Sequence, residues 1–147
     1  IHKHARRWDI GAIEADCQTP LSELALEGLA LFNRGEYFAA HEALEHAWNQ
    51  DPGPARELYR GLLQVAVAYL QIERGNYAGA LKMFLRQRQW LDPLPDTCRG
   101  VDVAGVRAAA QAARAALEAL GPEGLSQFDR RLFQPIRHST GPSSHAV

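Results

Sequence analysis

Apolar residues recur along this chain at intervals of three and four, and no stretch alternates as a half-buried strand would. Leu21, Leu24, Leu26, Leu29, Leu31 and Phe32 form a broad apolar face, which predicts a helix from Leu21 to Asn33. Thr19 and Pro20 suit its start, since Thr caps free N–H groups and Pro at the first helical position gives up no needed bond. Gly35 suits its end. A second helix is expected over 36–49, stopped by Asp51-Pro52-Gly53-Pro54, the strongest breaker in the chain. A longer one over 54–74 carries Leu58, Leu62, Val65, Tyr69 and Ile72 at helical spacing. Gly75-Asn76 separates it from a fourth, Tyr77 to Leu91. Beyond the turn at 92–96, an alanine-rich helix is expected from Val103 to Leu120, with Asp102 as its cap and Gly121-Pro122 as its stop. Leu125, Phe128 and Leu132 predict one more short helix. The pattern reads as all-α, a compact multi-helical bundle of two tandem helical hairpins plus a C-terminal helix. Residues 1–18 are expected to form an arm or short helix, 19–136 the helical domain and 137–147 a disordered tail.

The hairpins resemble each other at an offset of 40 residues: Asn33-Arg34-Gly35-Glu36-Tyr37 aligns with Glu73-Arg74-Gly75-Asn76-Tyr77, and Ala40 with Ala80. The differences point to chemistry. His41 aligns with Leu81 and Glu45 with Leu85, while Gln64 aligns with Leu24 and Gln71 with Leu31. Four polar side chains stand where the other hairpin has leucine, two on each of two adjacent helices. If these positions face inward, each group needs a partner, and a shared polar pocket is expected between the helices at 36–49 and 54–74.

His41 and Glu45 lie on adjacent turns of one helix face and are residue types that bind one metal ion at that spacing. Glu42 and His46 form a second such pair, rotated by about 100°. Glu42 can then act as general base on a metal-bound water, or orient a ligand from behind. Trp48, Tyr59, Gln64, Gln71 and His46 complete the expected pocket. The pattern is neither the zincin His-Glu-x-x-His nor the Glu-x-x-His of di-iron bundles. Each residue also has a plainer reading: His41 as a core histidine bonded to Glu45 or Gln71, Glu42 with His46 as surface decoration, Trp48 and Tyr59 as core. The sequence shows no Gly-x-Ser-x-Gly, phosphate-cradling loop or spaced Cys–His pair.

Composition narrows the picture. A net charge of −1 gives no field to recruit nucleic acid or an anionic membrane, and no apolar run suffices to span a bilayer. Cys17 and Cys98 have neither a close partner nor metal-type spacing, so no disulfide and a reducing, cytoplasmic setting are expected. The alanine-rich helix could pack against a second copy of the chain.

Phe32-Asn33-x-Gly35-Glu36-Tyr37-Phe38-x-x-His41-Glu42-x-x-Glu45-x-x-Trp48 resembles the opening signature of the domain-of-unknown-function family 309. Tyr59-x-Gly61-Leu62-Leu63-Gln64-x-Ala66 and Arg74-Gly75-Asn76-Tyr77-x-Gly79-Ala80 resemble its later blocks. Gly100-Val101-Asp102-Val103 and Phe128-x-x-x-Leu132-Phe133 look like a C-terminal extension of some members. The resemblance implies a helical bundle and a predicted metal-dependent hydrolase, a label that rests on the same His-Glu motif. Gln71 stands where many members carry His, a stronger metal ligand. Three readings follow. The first is a metal-dependent hydrolase with His41 and Glu45 as ligands, Glu42 as base, Gln64 and Gln71 opposite, and one divalent ion. The second is a tetratricopeptide-like module for a protein partner, with no cofactor. The third is a small-molecule binder using the pocket without catalysis.

Overall fold

The computed structural model describes residues 10–139. Among the described residues six α-helices carry the fold: α1 (Ile10–Asp16), α2 (Glu23–Asn33), α3 (Tyr37–Gln50), α4 (Glu57–Glu73), α5 (Tyr77–Leu91) and α6 (Val103–Leu120). From α2 onward each packs on the next, and a two-stranded antiparallel turn, β1 (Thr97–Cys98) with β2 (Val101–Asp102), joins α5 to α6. The all-α reading holds.

Local chemistry sets the boundaries. Ser22, not Thr19 or Pro20, caps α2: its hydroxyl accepts from the Ala25 N–H at 3.1 Å. The Thr19 hydroxyl instead donates back to the Asp16 carbonyl, 2.7 Å away, closing α1. Asn76 and Asp102 cap α5 and α6 by accepting from Gly79 and Gly105, each at 2.9 Å. Residues 54–56, read as helix, form a 3₁₀ turn leading into α4, and the expected last helix is two 3₁₀ turns at 125–127 and 130–132.

Both hairpins turn in the same way. Gly35 and Gly75 sit at φ +81° and +75°. The Gly35 N–H bonds Phe32 O and the Glu36 N–H bonds Leu31 O; Gly75 to Ile72 and Asn76 to Gln71 repeat the pair. This is a Schellman ending, which needs a left-handed residue that glycine supplies without a Cβ clash. Burial repeats at the same offset: Ala25/Val65, Leu29/Tyr69, Phe32/Ile72, Ala40/Ala80 and Leu44/Phe84 are all buried. An aromatic cluster fills the base of the core, with Tyr69 stacked on Phe133 at 4.5 Å and Tyr37 edge-on to Phe32 at 5.2 Å.

Two expectations are overturned. Cys17 and Cys98, 81 residues apart, form a disulfide with their Cα atoms 4.5 Å apart. α1 folds back so that the Arg99 N–H reaches the Cys17 carbonyl at 2.7 Å, a proximity that spacing along the chain cannot signal. The bridge removes the ground for a reducing, cytoplasmic setting. No helix among the described residues is long and apolar enough to cross a membrane. The start of the expected disordered tail is ordered: Asp102 N–H bonds Arg137 O at 2.9 Å and Ser139 N–H bonds Gly100 O at 3.0 Å. The Asn33 side chain also grips both polar backbone atoms of Ile136, at 2.7 and 3.0 Å. The rest of the tail and residues 1–9 of the expected arm lie outside the described residues.

Candidate functional site

The repeat alignment is right, but the direction inferred from it is not. Leu85 is 46% exposed, and Glu45, its counterpart, has a side chain 54% exposed. His41, Gln64 and Gln71 are half-buried, as are Leu81, Leu24 and Leu31. These positions edge the apolar stripe of each helix and do not point into the core. The leucines of the other hairpin are therefore surface-edge leucines, and no polar interior pocket follows from them.

α3 presents Phe38, His41, Glu45 and Trp48 along one stripe, because successive spacings of three, four and three keep to one helical face. His41 Nε2 lies 3.7 Å from Glu45 Oε1. The Phe38 ring, half exposed, sits 5.8 Å from the His41 ring. His41 Nδ1 and, on the adjoining α4, Gln64 Oε1 are buried atoms without a hydrogen-bond partner among the described residues. Glu42 and His46 are exposed on the next stripe round. Gln71 is occupied elsewhere: its Oε1 accepts from Asn76 Nδ2 at 3.1 Å and braces the hairpin turn.

At the far end of the stripe, Arg60 of α4 contacts both Trp48 of α3 and Trp90 of α5, its guanidinium carbon 4.4 and 4.0 Å from the ring centres. Arg56 lies 4.5 Å over Trp48. Glu57 Oε1 accepts from Trp48 Nε1 and pairs with Arg60 Nε, both at 3.1 Å. This ladder ties three helices together at the surface. Trp48 was expected in the pocket, whereas Arg60 and Trp90 were not foreseen. The i, i+3 pair Glu57/Arg60 was the available signal, though such pairs are common on helices.

Tyr59 belongs to a different cluster. It is fully buried, and its hydroxyl accepts from Arg99 Nη1 at 2.9 Å. Arg99 also bonds Asp51, Asp16 Oδ2 at 2.9 Å and the Asp16 carbonyl at 3.3 Å. The two carboxylates are further held by the backbone N–H groups of Gly53 and Ala55, each at 2.8 Å. Burial works against the charge on Arg99, but its bonds to Asp51 and Tyr59 outweigh that and raise its pKa above the ordinary value. With Arg99 at φ +52°, the residue is strained and its bonds must hold it there. The clasp joins α1, the 51–53 loop, α4 and the β-turn, beside the disulfide. Nothing in the sequence marked Asp16, Asp51 or Arg99, since each charged partner is remote along the chain.

A zinc site takes three or four protein ligands. His41 and Glu45 supply two, and no group of three His, Cys, Asp or Glu side chains that could hold an ion is present among the described residues.

Comparison with known proteins places part of this architecture. Residues 25–83 match the model of a family described as Domain of unknown function (DUF309). An uncharacterized protein of Aquifex aeolicus (strain VF5) is 28% identical over 88 residues, covering 59% of this chain and 26% of that protein. Uncharacterized protein YpuF of Bacillus subtilis (strain 168) is 43% identical over 49 residues, covering 33% of this chain and 28% of that protein. The match thus spans little more than a quarter of either relative. The segment that matches the model of the domain-of-unknown-function family 309, residues 25–83, contains both hairpin turns, the Phe38–Trp48 stripe and Gln64.

Proposed function

We propose that the two hairpins form a non-catalytic binding module that docks a protein partner on the α3–α4 face. The observation that carries this reading is the stripe Phe38, His41, Glu45, Trp48, with a half-exposed Phe at one end and the Trp48–Arg60–Trp90 ladder at the other. Aromatic and Arg side chains are the usual anchors of protein interfaces, and here they flank two polar side chains that can set register. Beneath this face Gln64 Oε1 is an unpartnered acceptor and His41 Nδ1 an unpartnered nitrogen that donates or accepts according to tautomer, so a side-chain rearrangement on docking has two buried polar atoms to satisfy.

The metal-dependent hydrolase is the second reading, favoured by one distance. His41 Nε2 and Glu45 Oε1, 3.7 Å apart, are near the separation of about 3.4 Å that two ligands of one tetrahedral ion take. The donor set stops there, and no reaction step is assigned to Glu42. A homo-oligomer would be one form of the proposed docking, with a second copy as partner.

A photo-crosslinking amino acid placed at Glu45 tests the module, with the same probe at exposed Ala119 of α6 as control. Discrete protein adducts from position 45, lost when Phe38 and Trp48 are changed to Ala without loss of melting temperature, are expected. Adducts that are equal from both positions, or absent from position 45, would overturn the proposal.

A further inference from the structure

The repeat does contain one fully buried exchange of an apolar for a polar residue, and it lies in the second hairpin. At the 40-residue offset Gln87 takes the place of Ala47, and the two are 4% and 2% exposed. Gln87 Nε2 donates to the Phe84 carbonyl at 3.0 Å, which fixes which end of the amide is the donor. Its Oε1 is buried with no partner among the described residues. A buried acceptor facing no donor is costly, and alanine serves the equivalent place in the first hairpin.

Gln87 lines a cavity of about 470 Å³ between α5 and α6, within the range of small-ligand sites. Arg107 and Arg114 line it too, their side chains 24% and 27% exposed, so guanidinium groups lie nearer solvent than the amide. Arg107 is held in place by the carbonyls of Leu91 and Leu94, at 2.9 and 3.2 Å, and by Asp96. Among the described residues Arg114 has a single loose ion pair, 3.7 Å from Glu118. The remaining charges at the cavity, Arg88 and Asp92, face each other at 3.6 Å. An unmet acceptor thus lies deeper, and a weakly engaged cation lies nearer the mouth. Neither Gln87 nor α6 falls within the matched residues 25–83, and none of the cavity's lining residues belongs to the docking stripe.

We infer that this cavity binds a small hydroxylated oxyanion, a hydroxycarboxylate or a phosphate monoester, whose hydroxyl donates to Gln87 Oε1 while its acid group meets Arg114 and Arg107. Arginine suits both acid types, since its fork matches carboxylate and phosphate alike.

The test is a titration of isotope-labelled protein, followed by backbone amide shifts, with malate, glycerol 3-phosphate and succinate. Succinate is malate without its hydroxyl. Saturable shifts in α5 and α6 with malate or glycerol 3-phosphate are expected, and whichever binds identifies the acid type. Affinity should fall about tenfold in Gln87→Met, which loses one hydrogen bond in the complex, and at least as much in Arg114→Ala. Gln87→Met removes the unmet acceptor at constant length, so it should fold; Arg114→Ala is a surface change that tests the site separately. No saturable response to either hydroxylated acid at millimolar concentration would overturn the inference. So would succinate binding as tightly as malate, or malate binding unchanged in Gln87→Met.

Discussion

Replacing Arg99 with Met should unfasten α1 from the rest of the molecule. The Arg99 side chain is 4% exposed and holds Asp16, Asp51 and the Tyr59 hydroxyl. Hydrogen bonds to charged groups contribute about 1.5–3 kcal/mol each, but these come from one guanidinium and do not add. Breaking a buried ion pair by removing one partner costs about 3–5 kcal/mol. Asp16 and Asp51 retain 19% and 17% side-chain exposure, so water can reach them once the arginine is gone. The low end therefore applies, about 3 kcal/mol. For a domain of this size that lowers the melting temperature by roughly 6–12 °C. Scanning calorimetry of oxidised protein at neutral pH reads the shift. Hydrogen exchange should show the α1 amides opening faster than those of α4. A shift under about 2 °C with unchanged exchange in α1 would refute the reasoning, because the clasp would then add nothing net.

The disulfide and the tyrosines give further tests. The bridge closes a loop over 81 residues of separation, which the chain-entropy model values at about 4.5 kcal/mol. Denaturant titration of oxidised protein against Cys17→Ala/Cys98→Ala should show most of that difference, and a gap under about 1 kcal/mol contradicts it. Tyr37 is raised from 10.0 to about 12, first by burial and next by the charge of Glu73, with Arg130 opposing; burial raises Tyr69 further. A raised folded-state pKa means that the native state holds its protons longer, so this stability is complete below pH 10 and is lost as pH climbs towards 12. The urea midpoint should fall between about pH 10 and pH 12, and the fall should shrink in Tyr37→Phe/Tyr69→Phe. A midpoint that is level over that range contradicts the assignment.

Much of the scaffold was legible because it is written in short-range signals. Tyr77–Leu91 and Val103–Leu120 have the bounds predicted from Gly75-Asn76 and the turn at 92–96 for the first and from Asp102 and Gly121-Pro122 for the second. The hairpin repeat was legible too, since a Schellman turn needs glycine at one place and both turns have it. What the sequence misled on was direction. Leucine at 81 and 85 reads as core, yet a helix stripe wide enough to cover its neighbours also carries leucine along its edge. The polar exchange that is buried, Gln87 for Ala47, escaped notice because alanine does not stand out as a core residue. The Arg99 clasp and the disulfide were invisible for another reason. Their partners meet through the return of α1 and the β-turn, separated by 40 to 83 residues, and no local pattern encodes such contacts.

The claim that His41 and Glu45 belong to a docking face rather than a hydrolytic metal centre has one direct test. Untagged protein, purified without chelator and then offered zinc, manganese and iron, is analysed for bound metal beside His41→Ala. The account predicts no stoichiometric ion in either protein and no difference between them. One ion per chain in the wild type, lost in His41→Ala, would contradict it and restore the metal-dependent reading with Glu42 as its first candidate base.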